Sequence, residues 1–67
     1  MSQGRVLWYS DTIGYGFIHP DNGGGKLFVG RTDIAEGQHE FLENGAKVTY
    51  EGVRSKEGME AMNVSKI

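Results

Sequence analysis

Tyr15, Phe17 and His19 stand at every second position of one short run, and Phe28 follows in the next. In an extended chain successive side chains point to opposite faces, so these three rings share a face. Flat π-faces gathered on one surface can stack unpaired nucleic-acid bases, each stack contributing roughly 1–3 kcal/mol. Lys26 and Arg31 bracket Phe28 and could supply charge for phosphates. A second chemistry, acid–base or metal work, would fall to His19, Asp21 and His39. Two histidines without cysteine or matched spacing make a poor zinc site, and His19-Pro20-Asp21 reads as a strand end running into a turn, with Pro20 ending the ladder. Gly23-Gly24-Gly25 lacks the following Lys-Ser/Thr and helix of a phosphate-cradling loop. No serine sits with histidine and acid in a nucleophile pattern, and the remaining carboxylates read as solvated surface. The expectation is a binding protein, with no enzyme activity, no cofactor and no metal.

The elements that must hold those rings are short and extended. Eleven glycines punctuate the 67 residues, and the runs between them are rich in β-branched and aromatic residues. Five strands are expected: Gly4 to Ser10, Tyr15 to His19, Lys26 to Gly30, Ala46 to Val53, and Glu60 to Ser65. Asp21 to Gly25 is a strong turn signal between the second and third. Asp33 to Glu36 suggests one helical turn, followed by a long loop carrying Gln38, His39 and Phe41. Five strands in so short a chain predict an all-β barrel of the oligonucleotide-binding class, five-stranded and antiparallel, closed so that no edge is left open.

Alternation sorts the two faces. Val6, Ile18, Leu27, Val29, Val48, Val64 and Tyr50 form a set large enough to fill a small barrel. Tyr15, Phe17 and Phe28 then fall on the opposite face, which in a barrel is the outside, with Gly14 and Gly16 as small neighbours that leave the rings uncrowded. Trp8 stays open on this evidence: strict alternation puts it with Val6 inside, and a bulge would turn it out.

Seven Lys/Arg against nine Asp/Glu give a net charge of −2. Duplex binding through phosphates favours a basic protein, so this balance disfavours it. It leaves room for a single-strand binder that relies on stacking, or for a barrel whose aromatic patch meets another protein. The chain contains no cysteine, which fits a reducing compartment. Its start, Met-Ser-Gln-Gly-Arg, does not resemble a signal peptide, and no apolar run approaches the ~20 residues of a transmembrane helix. The expectation is one domain over residues 1–67, cytoplasmic, without membrane or small-molecule partner, monomeric or exchanging strands as a dimer.

Gly14-Tyr15-Gly16-Phe17-Ile18 resembles the first ribonucleoprotein motif of the cold-shock domain family, Lys-Gly-Phe-Gly-Phe-Ile. Leu27-Phe28-Val29 resembles the second, Val-Phe-Val-His. The opening Gly4-Arg5-Val6-Leu7-Trp8-Tyr9 resembles Gly-x-Val-Lys-Trp-Phe, and Gly58 through Ala61-Met62-Asn63-Val64 resembles the family's Gly-x-x-Ala-x-Asn-Val close. Four motifs in order span essentially the whole chain. The resemblance implies a cold-shock barrel that binds single-stranded RNA or DNA, often as an RNA chaperone, and it implies that Trp8 faces outward beside Tyr15, Phe17 and Phe28. Arg31, His19, Lys26, His39 and Lys56 complete the expected surface. The departures are as informative. Leu7 and Ile13 stand where the family has lysines, Gly30 and Arg31 where it has histidine and phenylalanine, and His39 where it has a loop aromatic. Binding weaker than, or tuned differently from, the family pattern is expected.

Overall fold

The computed structural model describes residues 1–37, 42–56 and 58–67. These form five strands, β1 (Ser2–Ser10), β2 (Tyr15–Pro20), β3 (Leu27–Gly30), β4 (Lys47–Ser55) and β5 (Gly58–Lys66), with a 3₁₀ turn at Arg31–Asp33 after β3. The strands close into a barrel in the order β1-β2-β3-β5-β4. β1–β2, β2–β3, β1–β4 and β4–β5 are antiparallel. The expectation of a wholly antiparallel barrel fails at one seam, because β3 and β5 pair in parallel, at Phe28 and Glu60. The long connection after β3 lets β5 arrive running the same way. No described helix is long and apolar enough to cross a membrane.

All seven residues assigned to the core by alternation are buried: Val6, Ile18, Leu27, Val29, Val48, Tyr50 and Val64. Ile34, Leu42 and Ala61 join them. Each fully buried Val, Leu or Ile side chain adds about 1.5–3 kcal/mol relative to exposure, and in a chain this short few others are available to share the task.

Two local expectations are corrected. The helical turn sits earlier than Asp33 to Glu36. Asp33 folds back so that its Oδ2 accepts the Gly30 N–H at 2.9 Å, which closes the turn at Asp33 and leaves this carboxylate buried. Ile34 then returns to extended backbone (φ −93°, ψ 133°) and bridges Val64 in parallel, which carries its side chain into the core. β2 runs one residue past its expected end at His19, and Pro20 ends the ladder as expected. It is the buried last residue of β2, opposite Gly4, and the turn follows at Asp21, whose N–H donates to the Gln3 carbonyl at 3.0 Å.

Candidate functional site

A bulge in β1 decides the position of Trp8. Val6 pairs with Ile18, but Trp8 pairs with Phe17, so Leu7 is the extra residue. Two residues on β1 therefore oppose one step on β2, and the alternation resets. Val6 stays inside while Trp8 turns out, 36% exposed. Gly16 accommodates the bend. A Cβ there would lie 2.2 Å from the Trp8 carbonyl oxygen and 2.6 Å from the Tyr9 Cα, so β1 and β2 can approach this closely only over a glycine. The reason first suggested for the neighbouring glycines is thus corrected. Gly16 makes room for the backbone of β1, and Gly14, at φ +97°, lies against the Arg31 guanidinium; neither serves to uncrowd the rings.

The register then lines the rings up across the sheet. Phe28 pairs with Phe17, and Phe17 with Trp8, giving a transverse row over β3, β2 and β1. Tyr15 lies one step along β2 from Phe17. Ring centroids are 5.5 Å apart for Trp8–Tyr15, 5.7 Å for Trp8–Phe17 and Tyr15–Phe28, and 6.2 Å for Phe17 with Tyr15 and with Phe28. Phe17 meets Trp8 and Tyr15 edge-to-face, at 66° and 85°, an arrangement that ring quadrupoles favour. The other three contacts are tilted at 52° to 58°. Four rings thus brace one another on the outer surface, with Trp8 and Tyr15 exposed and Phe17 and Phe28 half-buried. Lys26 places its ammonium 4.6 Å from the centre of the Phe17 ring, within range of a cation–π contact.

The other expected residues spread around this cluster. His19 is exposed on β2, two residues beyond Phe17. Arg31 is held at the opposite border. Its Nε lies 3.4 Å from Asp11 Oδ1, and its guanidinium also donates to the Asp11 carbonyl. Tyr9 donates its hydroxyl to the same carboxylate at 3.1 Å. Burial, and then that hydrogen bond to Asp11, hold the Tyr9 phenol above its ordinary pKa. Asp11 therefore offsets much of the charge that Arg31 would present. Lys56 is exposed in the turn between β4 and β5, beside Ser55, which lines a recess with Phe28, Met59 and Glu60. His39 lies outside the described residues, as do Gln38 and Phe41.

The departures are visible on this surface. Leu7 is 44% and Ile13 61% exposed, so the apolar side chains at these positions face solvent rather than the core. Gly30 pairs with Tyr15 at an ordinary φ of −95°. A Cβ there would meet nothing closer than 3.5 Å, the Asp33 carboxylate. The gap beside Tyr15 and Phe28 is open to a side chain.

Comparison with known proteins agrees with this geometry. The family model described as "'Cold-shock' DNA-binding domain" matches residues 2–67. A cold shock protein of Bacillus caldolyticus is 39% identical over 67 residues, covering all of both chains. A cold shock-like protein of Stigmatella aurantiaca is 37% identical over 67 residues, covering all of this chain and 98% of its own. A solved structure described as "drosophila Unr CSD456" superposes with a TM-score of 0.79 over 98% of this chain and 26% of its own, and its 17% identity speaks for the fold alone. A bulged, five-stranded barrel with four bracing rings outside, matched along its length by this family model and these relatives, belongs to the cold-shock domain family.

Proposed function

We propose that this chain binds single-stranded RNA or DNA by stacking unpaired bases on Trp8, Tyr15, Phe17 and Phe28. The observation that carries this reading is the placement of four rings on the outer face while the barrel closes over an aliphatic core. Exposed rings gain nothing for folding that core positions would not give more fully. Bases laid on them would gain the stacking that a duplex already satisfies internally, so single strands are preferred and sequence preference is slight. Lys26 adds charge at Phe17, with His19, Arg31, Lys56 and His39 as further contacts. Holding RNA in its unpaired state shifts its folding by mass action, which makes the protein an RNA chaperone that works without a cofactor or a catalytic step. It acts as one domain, monomeric, in the cytoplasm.

The test is a titration followed by the fluorescence of the single tryptophan, Trp8. A single-stranded oligonucleotide is expected to quench it while the same sequence as duplex leaves it unchanged. A folded protein that responds to neither strand form refutes the reading. One observation favours a second reading: exposed Leu7 and Ile13 extend the ring cluster with aliphatic surface, which suits a protein partner. In that case binding of the partner persists in the presence of excess single strand.

The same site yields a gain-of-function prediction. Because a side chain fits at position 30 without strain, Gly30→His combined with Ile13→Lys is expected to leave the fold intact. It should tighten single-strand binding about tenfold, from one added stack and one added cation. Unchanged affinity in that double variant would mean that bases do not lie across this part of the surface.

A further inference from the structure

The register places a second transverse row directly beyond the ring row. Arg5 on β1 pairs with His19 on β2 and with Lys47 on β4. Continuing the β2–β3 register one step past Ile18 and Leu27 sets Lys26 opposite His19. Four basic residues thus fall in a line, Lys26 just before β3, His19 on β2, Arg5 on β1 and Lys47 on β4, with Lys26, His19 and Arg5 one outward step from Phe28, Phe17 and Trp8. Directly opposed residues on one sheet face lie about 5 Å apart, and like charges so placed are destabilising. A protein of net charge −2 has acidic residues to spare for such a line. The carboxylate recorded against it among the described residues is Asp21, which pairs with the Lys47 ammonium. Arg5 is also held in place, since its Nη1 donates to the Gly45 carbonyl at 3.1 Å.

We infer that this row is a phosphate-binding track, which receives the backbone of a single strand as it leaves the rings and leads it over β1 toward β4. The inference rests on the base-stacking reading and adds to it a direction and a source of charge. Ile13 contributes no cation at its side of the rings, and Arg31 there is tied to Asp11. The positive charge of the site is therefore displaced to the His19 side. Arg5 offers a planar fork suited to phosphate oxygens, His19 a ring N–H, and Lys26 and Lys47 point charges. Asp21 sets the strength of the far end by competing for Lys47.

The experiment is the salt dependence of binding to a ten-nucleotide oligothymidylate, read from Trp8 quenching in the intact chain. Each phosphate neutralised on a single strand contributes about −0.7 to the slope of log K against log salt. With Lys26 and Arg5 engaged and Lys47 held by Asp21, affinity falls about sevenfold between 50 and 200 mM salt. Arg5→Gln reduces that fall to about threefold, while Arg5→Lys preserves it and so separates charge from any structural effect of the Gly45 hydrogen bond. Asp21→Asn releases Lys47 and steepens the fall. Quenching that persists with an unaltered slope in Arg5→Gln and Asp21→Asn overturns the track and leaves the stacking reading standing. No quenching of the wild-type chain by any single strand overturns the stacking reading, and the track with it.

Discussion

Val29→Ala is expected to cost the domain about half of its stability while leaving most molecules folded in water at ambient temperature. Val29 is fully buried on β3, between strands that pair with it on both sides of the sheet. Removing two methyl groups there forfeits their transfer energy and leaves a cavity, together about 2–3 kcal/mol. A single core in a domain of this size supplies about 3–5 kcal/mol in all, so the variant should lose half or more of its stability. The check is urea unfolding followed by circular dichroism. The midpoint should fall by about half with the slope unchanged. A near-neutral result would mean that the inner and outer faces of β3 have been interchanged.

Phe17→Ala carries the second large effect, and it falls on binding. Phe17 is the hub of the surface, touching Trp8, Tyr15 and Phe28 and lying under the Lys26 ammonium. Its removal deletes one stacking surface and loosens three others. Single-strand affinity should drop by about 1–3 kcal/mol, or roughly five- to 150-fold. The cost to folding should be smaller, on the order of the 0.5–1.5 kcal/mol that ring pairs contribute beyond their burial. Oligonucleotide titration and urea unfolding of the same preparation separate the two. Equal losses would identify Phe17 as a core residue.

These two variants rest on features that the sequence displays openly, because alternation within a strand is a local signal. Leu27 and Val29 against Phe28, or Ile18 against Tyr15 and Phe17, can be sorted without knowing any partner strand. Trp8 could not be sorted in this way. Its outward turn depends on the extra residue at Leu7, and that is a relation between β1 and β2, made possible by a glycine on the other strand. The resemblance to cold-shock motifs placed it correctly where periodicity could not. Ile34 and Leu42 escaped for a related reason: they reach the core from outside the alternating runs, where no period marks them. The parallel β3–β5 seam and the line of Lys26, His19, Arg5 and Lys47 are set wholly by register between strands. Residues 5, 19, 26 and 47 carry no pattern when read along the chain.

The order of pairing around the barrel bears on how the protein is made. β1, β2 and β3 form a meander of neighbours in sequence, ending at Gly30, whereas β4 and β5 form a hairpin that ends at Lys66. During synthesis the meander emerges first, with both outer strands unpaired. β1 awaits β4 and β3 awaits β5. At roughly 5–20 residues per second, the 36 residues that separate Gly30 from Lys66 take about 2–7 seconds to appear. Until β4 and β5 are free to pair, two open strand edges and a cluster of exposed rings face the crowded surroundings of the ribosome, a state prone to aggregation. A nascent chain of this fold therefore meets its greatest hazard before its last strand is free to close the barrel.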